Sequence, residues 1–144
     1  MPVKPEETNE IIKKISDDID WYNQRCKTAT IDELLKLKSH IVTLNYNLVE
    51  SLADLKRDYN VARFDKKIQF TRTKNELIRQ GEKIGSAESQ ADEKTAELYK
   101  KELDVENLAY RLEQLLKQSN YVVDDISQRI SVLKKEREYS NVGT

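Results

Sequence analysis

The sequence predicts an all-α protein built on one long antiparallel helical hairpin with coiled-coil-like packing, preceded by a short N-terminal helix and assembling into an oligomeric bundle or ring. Three observations predict it. Charged residues make up 35% of the 144-residue chain and hydrophobic residues 38%, with 3 Gly and 2 Pro; that mixture suits helices that bury a stripe and solvate the rest, not a thick globular core. Apolar residues recur at steps of three and four. The two halves that flank a glycine-containing segment match in register. Disorder is disfavoured because the apolar spacing is regular and the net charge is only -1.

Taken in order, residues 1–8 carry Pro2 and Pro5 and read as a tail. Residues 9–27 form a short helix, with Ile11, Ile15, Ile19, Tyr22 and Cys26 on one face and Trp21 beside it. Thr30-Ile31-Asp32-Glu33 is a capping box, in which the Thr30 hydroxyl takes the Glu33 amide and the Glu33 carboxylate reaches back to Thr30. A second helix over 31–80 follows, free of Gly and Pro, carrying the line Ile41, Leu44, Leu48, Leu52, Leu55, Tyr59 and Ala62. At ~1.5 Å per residue it would run on the order of 75 Å. Residues 81–86 are the turn, with Gly81 suited to a helix C-terminal cap and Ser86 to an N-terminal one. The last helix covers 87–138 along Leu98, Val105, Leu108, Leu112, Leu115, Ser119, Val122, Ile126 and Leu133, and fades into a polar tail at 139–144. The chain is one helical domain.

Folding at the turn pairs residues whose numbers sum to about 167, so that Tyr59 meets Leu108, Leu55 meets Leu112, Leu52 meets Leu115, Ile41 meets Ile126 and Leu34 meets Leu133. Charge agrees with this register. Lys56 to Lys83 carries nine basic residues against four acidic, and Ala87 to Glu113 eight acidic against four basic. Each exposed pair is worth only ~0.2–1 kcal/mol, so charge selects the antiparallel register more than it stabilises it. A second apolar line runs beside the seam, with Leu35, Val42 and Val49 on one arm and Leu116, Val123 and Ile130 on the other. Two helices cannot cover both lines, and the expected cover is the first helix together with other copies of the chain, a homo-oligomer. The alternative is a closed three-helix monomer.

Catalysis needs a nucleophile, a base and an orienting group, or a metal with an open position. His40 is the one histidine, position 37 is Leu rather than the Glu of a Glu-x-x-His motif, and Cys26 is the one cysteine. Neither a metal site nor a cofactor is expected. The carboxylates Glu93, Glu97, Asp104 and Glu106 read as a solvated helix face. Gly81 and Gly85 lie between helices and lack the strand that precedes a phosphate loop. The expectation is therefore a protein that is not an enzyme. No stretch has the ~18 apolar residues of a membrane span and Met1 to Asn9 has no signal-peptide core, so no membrane partner and a cytoplasmic location are expected.

The remaining candidate is Arg63 to Lys74, which interleaves cations with aromatics. Arg63, Lys67, Phe70 and Lys74 follow steps of four, three and four, aligning cations for phosphates around a ring able to stack on an unpaired base. The competing reading is a solvated face neutralised by the acidic arm, with Phe70 packed into the hairpin. Repetition of a weak patch around an oligomer would multiply its avidity.

The tract Tyr59-x-x-Ala62-Arg63-Phe64-Asp65, the glycine turn, the acidic arm with Glu97 and Tyr99, and the closing segment Ile126-Ser127-Gln128-Arg129-Ile130-Ser131-Val132-Leu133-Lys134 resemble the UvsY-like recombination mediators of bacteriophages and related phage helical-hairpin proteins. The likeness spans roughly Leu35 to Glu138. It implies a non-enzymatic DNA-recombination accessory protein of the host-cell cytoplasm that oligomerises, binds single-stranded DNA and helps a RecA-like recombinase replace single-strand-binding protein. Val61 stands where the family's tract has a lysine, with Lys66 and Lys67 one turn later. The strand-binding set expected here is Arg63, Lys66, Lys67, Phe70, Arg72 and Lys74. The alternative function is a helical protein-protein interaction module without nucleic-acid binding, a virion or scaffold component or an inhibitor of a host defence factor, working through the second apolar line.

Overall fold

A computed structural model describes residues 5–142, with side chains from Glu6 to Ser140. Its regular structure is α1 (Pro5–Arg25), α2 (Ile31–Arg79), α3 (Ile84–Lys94) and α4 (Ala96–Val142), with no strand among the described residues. The fold is all-α. The described chain divides into two compact units, unit 1 of residues 53–110 and unit 2 of residues 5–52 with 111–142, so α2 and α4 each contribute to both.

Unit 2 holds α1. The described chain is helical from Pro5 onward, inside the segment expected to be tail, and Glu6 and Glu7 are acidic residues of the first described turn, where they favour the positive end of the helix dipole. Thr8 is already buried there. Residues 1–4, the rest of that tail, lie outside the described residues. After Arg25 the chain turns through amide bonds from Thr28 and Ala29 to the Arg25 carbonyl. The capping box then opens α2, with the Glu33 amide donating to Thr30 Oγ1 and the Thr30 amide to Glu33 Oε1, both at 3.2 Å. Tyr22, Ala29, Leu34, Leu37, Ile41, Ile126 and Ile130 form one apolar cluster, against which Trp21, Cys26, Ile31, Val122, Val123 and Leu133 pack. Ile41 with Ile126 and Leu34 with Leu133 thus share a core in the expected register. Fully burying each such aliphatic side chain contributes about 1.5–3 kcal/mol. A polar layer interrupts the seam: Ser119 Oγ donates to Asn45 Oδ1 at 2.6 Å, and Asn45 Nδ2 to Asn120 Oδ1 at 3.1 Å. Such a layer holds register, since a slip would strand buried polar atoms. α4 is still helical at Val142 rather than fading at 139; residues 143–144 lie outside the described residues.

Unit 1 is built differently. α2 ends at Arg79 in a Schellman motif, with the Gly81 amide donating to the Ile78 carbonyl and the Glu82 amide to that of Leu77, while Gly81 takes φ +97. α3 starts at once, at Ile84. Lys83 in extended conformation occupies the N-cap position without a side-chain cap, so Ser86 is not the cap expected of it. Its hydroxyl sits inside the first turn and donates to Glu82 Oε2 at 3.1 Å. The single helix expected over 87–138 is also interrupted. Thr95, 6% exposed, donates its hydroxyl to the Ala91 carbonyl at 2.8 Å and adopts φ -97, ψ 4. A hydroxyl that bonds back onto its own helix competes with the backbone ladder and bends it. Among the described residues, the buried apolar positions of unit 1 are mostly small, namely Ala62, Ala87, Ala91 and Ala109, with Leu55 and Leu77 the only large apolar ones.

Candidate nucleic-acid interface

The residues expected to hold a strand lie on α2 in unit 1, and the structure divides them. Lys66 faces inward, where its ammonium meets Glu102 Oε2 at 2.5 Å and stands 5.0 Å above the Tyr99 ring. Glu102 is 7% exposed, so this cation neutralises a buried carboxylate, and a buried charge left alone would cost several kcal/mol. Lys74 pairs with Glu88 at 3.0 Å. Both lysines serve the fold. Phe70 is half-buried and lines a groove of about 740 Å³ between α2 and the break at Thr95, together with Lys66, Lys67, Thr71 and Tyr99.

Arg63, Lys67 and Arg72 are exposed and make no ion pair among the described residues. At roughly 100° per residue, Arg63 and Lys67 lie about 40° apart on the helix, whereas Arg72 is about half a revolution from Arg63. The expected set is therefore not one row. What lies between its two sides is Phe64, 63% exposed, with Val61 at 54% and Ile68 half-buried. Val61, Phe64, Ile68, Arg72 and Arg79 follow helical steps on the face opposite the buried line, and Arg79 is likewise exposed without an ion pair among the described residues. Of the two phenylalanines it is Phe64 that faces solvent, whereas Phe70, the ring singled out from the sequence, is half-buried. The signal was present, since Tyr59, Ala62, Lys66, Phe70, Thr73 and Leu77 form the inward line by the same spacing rule that sets Phe64 outward.

Unit 2 divides the second apolar line in the same way. Leu35, Val42 and Val49 are 45%, 48% and 49% exposed, whereas Leu116 and Val123 are half-buried and Ile130 is 6% exposed. Ile130 belongs to the chain's own core, because Tyr22 of α1 and Ala29 of the following turn complete the cluster around it. As an open interface residue it is corrected.

The residues weighed for chemistry are occupied structurally or solvated. The His40 ring meets the Asp18 carboxylate, joining α2 to α1. Cys26 is half-buried against the unit 2 cluster. Glu93, Glu97, Asp104 and Glu106 are exposed. Among the described residues there is no group of three or more His, Cys, Asp or Glu placed to hold a metal ion, and no helix long and apolar enough to cross a membrane. No family model matches the sequence, and no curated protein or solved structure matches it.

Proposed function

We propose that the solvent face of α2 in unit 1 holds single-stranded DNA, and that the protein is a non-enzymatic accessory of DNA recombination, the setting implied by its resemblance to recombination mediators. The observation that carries this reading is Phe64, a large aromatic 63% exposed between cations that have no ion pair among the described residues, Arg63 and Lys67 on one side and Arg72 on the other. An exposed ring supplies a stacking platform worth ~1–3 kcal/mol per base, and the cations take the phosphates. Four contacts, counting Arg79, predict a salt slope of about -3 for a single strand. Binding by one chain is weak on that count, so several chains along one strand would be needed for useful avidity.

Fluorescence anisotropy of labelled oligothymidine across a salt series tests this. Phe64→Ala should weaken binding without changing the slope, and Arg63→Ala or Lys67→Ala should lower the slope by about 0.7 each. Lys74→Ala should change neither. No affinity at low salt would overturn the reading. The exposed Leu35, Val42, Tyr46 and Val49 favour a second reading, a protein-protein interaction module. Under it the oligothymidine series is flat, and Val42→Asp abolishes capture of the protein partner.

A further inference from the structure

We infer that the chain pairs with a second copy of itself through α2 residues 35–50, antiparallel about a two-fold axis near Thr43. Leu35, Ser39, Val42, Tyr46 and Val49 follow steps of four, three, four and three, and all five are exposed, which places them in one strip spanning about 80° of the helix. The strip carries no charge, in a chain of which 35% is charged. Thr43, beside the strip, donates its hydroxyl to the Ser39 carbonyl at 2.9 Å, so its polar group is already satisfied by backbone.

The charges beside the strip select its occupant. Lys36 and Glu50 flank it on the same side, seven residues before and seven after Thr43, and both are exposed with no ion pair among the described residues. In an antiparallel pair each Lys36 faces Glu50 of the second copy, twice over by symmetry, while Val42 packs near its own equivalent. A parallel pair in register would oppose lysine to lysine and glutamate to glutamate. Self-complementary charge about the centre of an uncharged strip is what a two-fold contact requires and what an unrelated partner would match only by coincidence. The strip is short against the ~800 Å² per partner of a standard interface, so the dimer should dissociate in the micromolar range. The strand-binding face proposed above lies further along α2, and either proposal can fail without the other.

Sedimentation velocity of the full chain over a concentration series should show a reversible monomer-dimer equilibrium. Val42→Glu should raise the dissociation constant at least tenfold while helicity by circular dichroism is unchanged. Lys36→Glu alone and Glu50→Lys alone should each weaken self-association, an equimolar mixture of the two variants should form a heterodimer tighter than either homodimer, and the double charge reversal should recover the wild-type constant. A wild-type chain that stays monomeric at every concentration, or a mixture that stays as weak as its components, overturns the inference.

Discussion

Unit 2 and unit 1 draw on the same two long helices and bury different things between them. Ile15, Leu34, Ile41, Leu48, Leu112 and Ile126 are the large aliphatic side chains sealed almost completely from solvent, and all lie in unit 2, whereas the residues sealed to the same degree in unit 1 are Ala87 and Ala91. The difference is α1. A third helix lets unit 2 enclose isoleucines and leucines from several sides, while unit 1 draws its arms together over alanines and uses the Lys66–Glu102 ion pair in their midst. Burial of apolar area is the larger source of stability, and a buried ion pair returns little net free energy after desolvation. Unit 1 should therefore open locally at lower free energy than unit 2. The lean seam also leaves most of the α2 surface in unit 1 facing water, which is where Phe64 and the unpaired cations lie.

The comparison breaks most readily in the cores. Ile126→Ala should cost about 2–5 kcal/mol in urea unfolding, and Leu77→Ala, at the edge of the unit 1 seam, should fall at or below the lower end of that range. A larger loss from Leu77 would reverse the ranking. Lys66→Met comes next. It strands Glu102 at 7% exposure, but Lys66 itself keeps 26% exposure, so the expected cost is about 2–3 kcal/mol, under that of a fully sealed pair. Adding Glu102→Leu should restore most of it. Amide exchange read by residue should show the loss confined to 53–110; a loss spread equally into unit 2 would mean the two units open together.

A pH experiment addresses unit 2 alone. Burial first, then the hydrogen bond to Asp125 and its negative charge, push the Tyr22 phenol well above its ordinary value, with Arg129 acting in the opposite sense. An unfolded chain loses this proton near pH ~10, while the folded chain keeps it, so above that pH the folded state binds more protons. Stability is intact below pH ~10 and falls as pH rises beyond it, by about 1.4 kcal/mol per pH unit for this one proton. Urea unfolding at stepped alkaline pH should show that slope in the wild type and its loss in Tyr22→Phe. A slope unchanged in the variant would assign it to other groups.

Signals that act within one turn of chain were legible in the sequence. Thr30 with Glu33 and Gly81 behave as their local chemistry dictates, and the leucine and isoleucine spacing gave the register that brings Ile41 and Ile126 into one cluster. What was not legible depends on the phase of packing. Thr95 is an ordinary helix residue until burial removes water as a partner for its hydroxyl and leaves the Ala91 carbonyl. Ser86 looks like a cap because serine usually caps, but the tight turn that Gly81 makes lets α3 begin three residues sooner. Lys66 and Lys74 read as free cations because a sequence does not show which lysines reach across to Glu102 and Glu88. Ile130 read as open surface because the reach of α1 over it was underestimated.

The smallest expected effects come from the two local stops, and they test whether stability is shared between the units. Thr30→Ala removes one half of the capping box that starts α2 in unit 2 and should cost about 1 kcal/mol. Gly81→Ala places a Cβ at φ +97, where no neighbouring atom crowds it within 4 Å, so the cost is backbone strain alone, again about 1 kcal/mol. Equal in magnitude, the two should differ in place. In amide exchange, Thr30→Ala should speed the start of α2 and the α1 amides packed on it, and Gly81→Ala should speed the end of α2 and the start of α3. If each substitution instead lowers protection over all four helices by the same factor, the chain unfolds as one cooperative body and the leaner core of unit 1 is not a separate weakness.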